Sequence, residues 1–177
     1  MIKVRPVNES DLEAIRAIIN REIAEDVAHF GLSEVGSAEV LDDWRANHTT
    51  YPWFVAEIEG AVAGFARASA WQTRGGYEWA TQVAAYINPA RQGRGVGKML
   101  YTALFDEVRA RGFRCVIGGI ALPNEPSVRL HESLGMKHVG TFPRVGYKHG
   151  RWIDVGYWAL TLDGSDPPTP IQGWLGS

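Results

Sequence analysis

The chain holds one cysteine, no apolar run approaching the ~18 residues a membrane helix needs, and no excess of charge of either sign. A single thiol cannot close an internal disulfide, so the stapled scaffolds of small secreted domains are excluded, and no cysteine pair is present to begin a zinc site. Lys and Arg number 18 against 20 Asp and Glu, a formal net charge of -2. Nothing here supplies the basic footprint of a nucleic-acid binder. The segment Met1-Ile2-Lys3-Val4-Arg5-Pro6 carries no apolar targeting stretch. These absences lead to the expectation of a cytoplasmic protein with neither nucleic acid nor membrane as partner. His29, His48, His131, His138 and His149 show no paired ligand spacing, so no metal is expected.

What is present is the mixture of an ordinary globular protein: 177 residues, 45% apolar and 21% charged. That length suits one domain with a real core, expected over residues 1-162, followed by a Pro/Gly-rich tail over residues 163-177. Such a tail cannot bury much and reads as an extended arm, with Trp174 the one residue expected to dock.

Ser10, three residues before Glu13, has the spacing of a capping box, and Leu12, Ile15, Ile19 and Ile23 then form one apolar stripe of a first helix. A second helix is read over Ser37 to Asn47. From Trp53 the grammar changes to strands: Trp53 to Ile58 and Val62 to Trp71, joined by a turn at Glu59 and Gly60. Trp79 to Ile87 is a further strand, ended by Pro89. Val96, Leu100, Leu104 and Val108 mark a helix that Gly112 closes. Arg114 to Leu122 reads as a buried strand, Asn124 as the cap of a short helix through Leu134, and Met136 to Phe142 and Trp152 to Leu162 as two last strands. The fold class is mixed α/β.

Between the strand ending at Ile87 and the next helix lies Gln92-Gly93-Arg94-Gly95-Val96-Gly97-Lys98. Glycines there let the backbone approach an anion, and free amides at the helix start point at it. The third glycine of a dinucleotide fold and the Lys-Ser or Lys-Thr pair of a nucleotide P-loop are absent.

This stretch fits the Q-x-x-G-x-G signature of the GNAT N-acetyltransferase superfamily. Tyr51 to Glu57, Ala85 to Ile87, Leu122 to Glu132 and Gly146 to Gly150 further resemble the phosphinothricin acetyltransferases of that superfamily, and the likeness runs from about Val4 to Leu162. The resemblance implies a central, twisted, mostly antiparallel sheet with flanking helices, acetyl-CoA as cosubstrate, a small-molecule amine as acceptor, and a homodimer. It assigns acetyl-CoA to the backbone of Ala85, Tyr86 and Ile87, to Gln92, Gly93, Arg94, Gly95, Val96, Gly97 and Lys98, and to Asn124 and Ser127. It makes His131 the first catalytic candidate, for proton transfer near the leaving sulfur, and assigns the acceptor to Phe30, Arg74, Tyr77 and Gln82.

Gln82 is the chief departure, since the resembled enzymes have a glutamate there. A carboxamide takes no proton at neutral pH and cannot be a general base. Tyr77, Glu78, His29 or a water chain are the substitutes in view. A basic residue following Phe30 is also missing. The expected activity is acetyl transfer to the α-amine of a small amino-acid analogue of the phosphinothricin or methionine sulfoximine type, with resistance or detoxification as its role. The alternative is an acetyl-CoA-binding sensor or interaction module whose catalysis is impaired by Gln82.

Overall fold

The apolar stripe expected near the start of the chain does form a helix, α1 (Leu12–Glu25), with Leu12, Ile15, Ile19 and Ile23 all buried. Its entry differs from the reading above. In the computed structural model, which describes residues 1–173, one 3-10 turn over Glu9–Asp11 precedes α1. The capping box belongs to Asn8 and Asp11: Asn8 Oδ1 accepts from Ser10 N at 3.1 Å and Asp11 Oδ2 from Asn8 N at 2.9 Å. Ser10 only donates its hydroxyl to Asn8, and Glu13 pairs with Arg16. Asn8 wins because its backbone is extended, the conformation that lets a side chain turn back onto the helix.

Helix α2 (Ser37–Asn47) follows, then β2 (Trp53–Ile58), β3 (Ala61–Ala70), β4 (Ala80–Ile87), α3 (Val96–Ala110), β5 (Cys115–Leu122), α4 (Glu125–Ser133), β6 (Lys137–Lys148) and β7 (Arg151–Thr161); β1 (Ile2–Pro6) opens the chain. The seven strands form one sheet in the order β1-β2-β3-β4-β5-β7-β6. Every neighbouring pair is antiparallel except β4 and β5, whose link through α3 is the long crossover a parallel pair requires. The mixed α/β, mostly antiparallel architecture is therefore as expected. One sheet face packs α3 through Leu100, Leu104 and Val108 onto Ala66, Ala68, Val83, Val116 and Ile120. The other packs α1 onto Val55 and Phe65.

Two differences arise at the end of the chain. Strand β6 continues past Phe142 to Lys148, with a register irregularity between Phe142 and Gly146, and the turn into β7 is His149 and Gly150. Pro143 interrupts the strand pattern in sequence, but β6 is an edge strand, where a residue without an N–H is tolerated. The tail from Asp163 has no regular structure, yet it is pinned. Arg114 Nη1 donates to Ser165 O, Trp79 Nε1 to Thr169 O at 2.7 Å, and Gln172 N to Arg111 O at 2.9 Å, while Ile171 packs on the core. Trp174 lies outside the described residues.

Candidate active site

Strands β4 and β5 run side by side only from Ala80 with Cys115 to Val83 with Gly118. Beyond that point β4 stays paired with β3 as far as Ile87, and β5 with β7 as far as Leu122, but not with each other. The edge of β4 over Ala84, Ala85, Tyr86 and Ile87 therefore faces an opening in the sheet, where its backbone amides and carbonyls have no strand partner on that side among the described residues.

At the mouth of this opening Asn88 turns the chain by accepting from Ala90 N, and Gly93 and Gly95 take φ of +73° and +82°. In that left-handed region a side chain strains the backbone, so the loop depends on glycine. Gly95 is the N-cap of α3 without any side-chain cap, and the first turn carries no acidic residue. The free amides of Val96, Gly97 and Lys98 and the positive end of the helix dipole thus face outward beside the exposed Arg94 and Lys98. A Cβ on Gly97 would lie 3.0 Å from Leu130 and 3.9 Å from Ile87. The first turn of α3 is therefore packed on both α4 and the free end of β4. The residues assigned to acetyl-CoA converge here, and a backbone cradle with uncompensated positive charge fits a pyrophosphate. Gln92 also stands in this loop, its Nε2 reaching Ile87 O at 3.4 Å.

Asn124 caps α4 by accepting from Ser127 N at 3.1 Å. Its amide Nδ2 has no acceptor among the described residues. Ser127 carries two roles in the helix: its hydroxyl approaches His131 Nδ1 at 3.5 Å and its carbonyl lies 2.7 Å from the same nitrogen.

That carbonyl fixes the tautomer of His131. A carbonyl oxygen only accepts, so Nδ1 carries the proton. Burial lowers the His131 pKa, opposed by the Ser127 bond, so the ring is neutral near pH 7 and Nε2 carries the lone pair. Only 3% of His131 is exposed. Its Nε2 faces the hydroxyl of Tyr101 at 3.4 Å, with the two rings edge to face at 5.2 Å. Burial pushes the Tyr101 hydroxyl well above its ordinary range, so it stays protonated and donates. The ring of His131 covers Gly118, where a Cβ would fall 2.6 Å from Nε2. Gly118 is the last residue of β5 paired with β4. His131 thus stands over the point where the strands part.

Gln82 is at the same place from the other side. It pairs with Ser69 on β3 and Ile117 on β5, and alternation with the core residues Thr81 and Val83 puts its side chain on the face away from α3. Its carboxamide has no hydrogen bond among the described residues. The same face carries Tyr86, its ring tilted against those of Phe65 and His29 at 5.5 and 5.8 Å between centroids.

His29, one of the substitutes in view, has its Nδ1 engaged. Gly31 N donates to its Nδ1 at 3.0 Å, and burial with the charges of Arg67 and Lys148 lowers its pKa, so its neutral form carries the proton on Nε2.

The acceptor candidates are less gathered. Phe30 lies against Gly146 of β6, while Arg74 and Tyr77 stand on an exposed 3-10 turn over Gly75–Tyr77. No hydrogen bond or ring contact joins Phe30, Arg74, Tyr77 and Gln82 to one another among the described residues. Beside them a groove of about 410 Å³ opens between Trp71, Cys115, Ile117, Phe142 and Tyr157. Burial raises the Cys115 pKa, so it stays a thiol and lines the groove as a small hydrophobe. Trp79 turns away to hold the tail. Among the described residues no three His, Cys, Asp or Glu converge as a metal site, and no helix is long and apolar enough to cross a membrane.

Tyr101 escaped the sequence reading. It adjoins Leu100 inside the apolar stripe of α3, where a hydroxyl reads as one more aromatic. Its one signal is a polar tip on a buried helix face, which demands a partner.

The sequence profile of the acetyltransferase (GNAT) family matches residues 16–136. A phosphinothricin N-acetyltransferase of Streptomyces viridochromogenes is 40% identical over 171 residues, 97% of this chain and 93% of that protein. An L-methionine sulfoximine/L-methionine sulfone acetyltransferase of Salmonella typhimurium is 34% identical over 161 residues, 90% and 94% of the two chains. A GNAT-superfamily phosphinothricin acetyltransferase of Sinorhizobium meliloti, solved in complex with acetyl-CoA, superposes with a TM-score of 0.89 at 32% identity, covering 96% of this chain and 92% of that one.

Proposed function

We propose, since the chain belongs to the acetyltransferase (GNAT) family and is thereby an acetyl-CoA-dependent N-acetyltransferase, that it acetylates the α-amine of a small amino-acid analogue of the phosphinothricin or methionine sulfoximine type. The role would be detoxification or resistance, exercised in the cytoplasm. The observation that carries this reading is the parting of β4 from β5, with the glycine cradle at its mouth and His131 and Gln82 on opposite faces where it begins. The relatives named above add the substrate class.

In this reading the phosphates lie on Gly93 to Lys98, with Gln92 and Arg94 beside them. The pantetheine arm follows Asn124 and Ser127, and the thioester lies along the open edge of Ala85, Tyr86 and Ile87. The amine nitrogen attacks the thioester carbonyl carbon; the C–N bond forms, the C–S bond breaks, and one proton passes from nitrogen to the departing thiolate. The α-amine arrives as an ammonium and must first lose a further proton. The Nε2 of His131 is equipped to accept it once the Tyr101 O–H, which faces Nε2 at rest, turns to donate where negative charge develops. Gln82 then orients the acceptor without exchanging a proton. Phe30, Arg74 and Tyr77 bound the acceptor, Arg74 as a fork for its acidic group.

The acceptor side is completed by a second copy of the chain. Val139, Phe142, Val145, Tyr147 and Trp152, all on the β6–β7 hairpin, are more than half exposed, an apolar surface that a lone copy leaves in water. Sedimentation or size-exclusion mass tests this: a dimer is expected, and a monomer at assay concentration overturns it.

Acetyl-CoA-dependent thiol release with phosphinothricin, methionine sulfoximine and a panel of amines, for the wild type and Gln82→Glu, tests the activity. Saturable turnover of one acidic amino-acid analogue by the wild type is expected. Turnover by Gln82→Glu alone would favour the reading as a binding module that lost its base.

A further inference from the structure

The segment Gly146-Tyr147-Lys148-His149-Gly150 has no place in the chemistry above, yet it holds a cation that only 4% exposure leaves almost wholly buried. Lys148 Nζ donates to three backbone carbonyls: Glu22 O at 3.2 Å, Asp26 O at 2.5 Å and His29 O at 2.6 Å. An ammonium has three protons, so all are used. The partners are the last turn of α1, its C-cap Asp26, and the loop residue next to Phe30. The last turn of α1 has no basic residue of its own. Lys148 supplies that charge from 122 residues beyond Asp26, neutralising carbonyls at the negative end of the helix. His149 Nε2 adds a contact to Asp26 O at 3.2 Å.

Two residues before Lys148, on the same strand, Gly146 receives the ring of Phe30. A Cβ there would fall 2.1 Å from Phe30 Cε1, a distance no packing tolerates. From the other side, Gly31 presses on Ile23 of α1, and the ring of His29 rests on Tyr86 of β4 at 5.8 Å between centroids. The five residues from Asp26 to Phe30 are thus gripped at both ends by the β6–β7 hairpin and laid against the acceptor face of β4.

We propose that Gly146 and Lys148 form a positioning clamp: they hold His29 and Phe30 as a fixed wall of the amine site, and so set affinity for the acceptor without touching it. This rests on the reading that Phe30 bounds the acceptor. Among the described residues Lys148 bonds only to Glu22, Asp26 and His29, and a Cβ on Gly146 would meet Phe30, not the open edge of β4 or the cradle of α3, so the clamp acts on one substrate of the two.

The test compares Lys148→Met, which keeps the stem and removes all three donors, with the wild type. Acceptor KM is expected to rise about tenfold or more, as misplacement of a binding wall by a fraction of an ångström commonly does, with acetyl-CoA KM held within about twofold. Amide hydrogen exchange over residues 26–31 is expected to quicken while that of β4 is unchanged. Equal change in both KM values, or unchanged exchange over residues 26–31, overturns the proposal. If Lys148→Met does not fold, Gly146→Ala displaces Phe30 instead, with faster exchange over residues 26–31 expected and its return toward wild type on adding Phe30→Leu; no change in either overturns the clamp. Exchange needs no acceptor, so a wild type inert toward every amine defeats the functional reading while the exchange result still decides the clamp.

Discussion

Around α3 and α4 the polar groups near the parted strands are already bonded within the chain: Asn124 to Ser127, His131 to Ser127 and to Tyr101. Across the sheet the amine side is built otherwise. Arg74 and Tyr77 stand on an exposed turn, the Gln82 carboxamide has no hydrogen bond among the described residues, and Phe30 is held in place from the far end of β6. One half is pre-organised by short-range contacts within the β4–α3–β5–α4 unit, the other by loops and by residues more than a hundred positions apart. The difference separates what the two halves do. On the proposed reading, a cosubstrate common to many enzymes is met by backbone and helix ends, which tolerate sequence change, and a particular amine by side chains on loops, where change alters specificity.

The sharpest way to break this contrast is to remove the imidazole. His131→Ala is expected to lower kcat by about 10²- to 10⁴-fold, the usual worth of a proton-transfer group, with acetyl-CoA KM nearly unchanged in steady-state assays. A kcat within a few-fold of wild type would move the chemistry to the amine side.

Gly95→Ala acts on the cradle alone. At φ +82° a Cβ costs roughly 1–2 kcal/mol, which is of the order of tenfold in affinity. Acetyl-CoA KM should rise by about that factor and amine KM stay constant, as initial rates with each substrate varied will reveal. Arg74→Ala is its mirror image, expected to raise amine KM only.

The smallest effect is on stability. Burial lowers the pKa values of His131 and His29 below the ordinary 6.5. The folded state then binds fewer protons than the unfolded chain, so stability is complete above pH 6.5 and is lost as pH falls through the two folded values. Urea unfolding at stepped pH should show this decline, and His131→Asn should make it shallower.

How much of this was legible in sequence follows the same division. The glycine cradle, the Asn124 cap and helix α2 could be read because each depends on residues within a few positions of one another. The Asn8 cap was misread because two plausible caps adjoin and only the backbone conformation chooses between them. Strand β6 was cut short at Pro143, since sequence does not reveal which strand lies at an edge. Tyr101 and Lys148 were invisible for a different reason: their partners are 30 and more than 118 residues away. The tail read as an extended arm docking through Trp174 alone because its contacts to Trp79, Arg111 and Arg114 go through backbone carbonyls and amides, which carry no residue signature.

The most direct measurement of the central claim, that His131 takes the proton Gln82 cannot, is the pH profile of kcat/KM for the acceptor in wild type, His131→Ala and Gln82→Glu. The structure predicts an acid limb below pH 6.5 in the wild type, its loss along with most of the rate in His131→Ala, and a change of less than about tenfold in Gln82→Glu. An unchanged profile in His131→Ala, or a gain of about a hundredfold or more in Gln82→Glu, would contradict it.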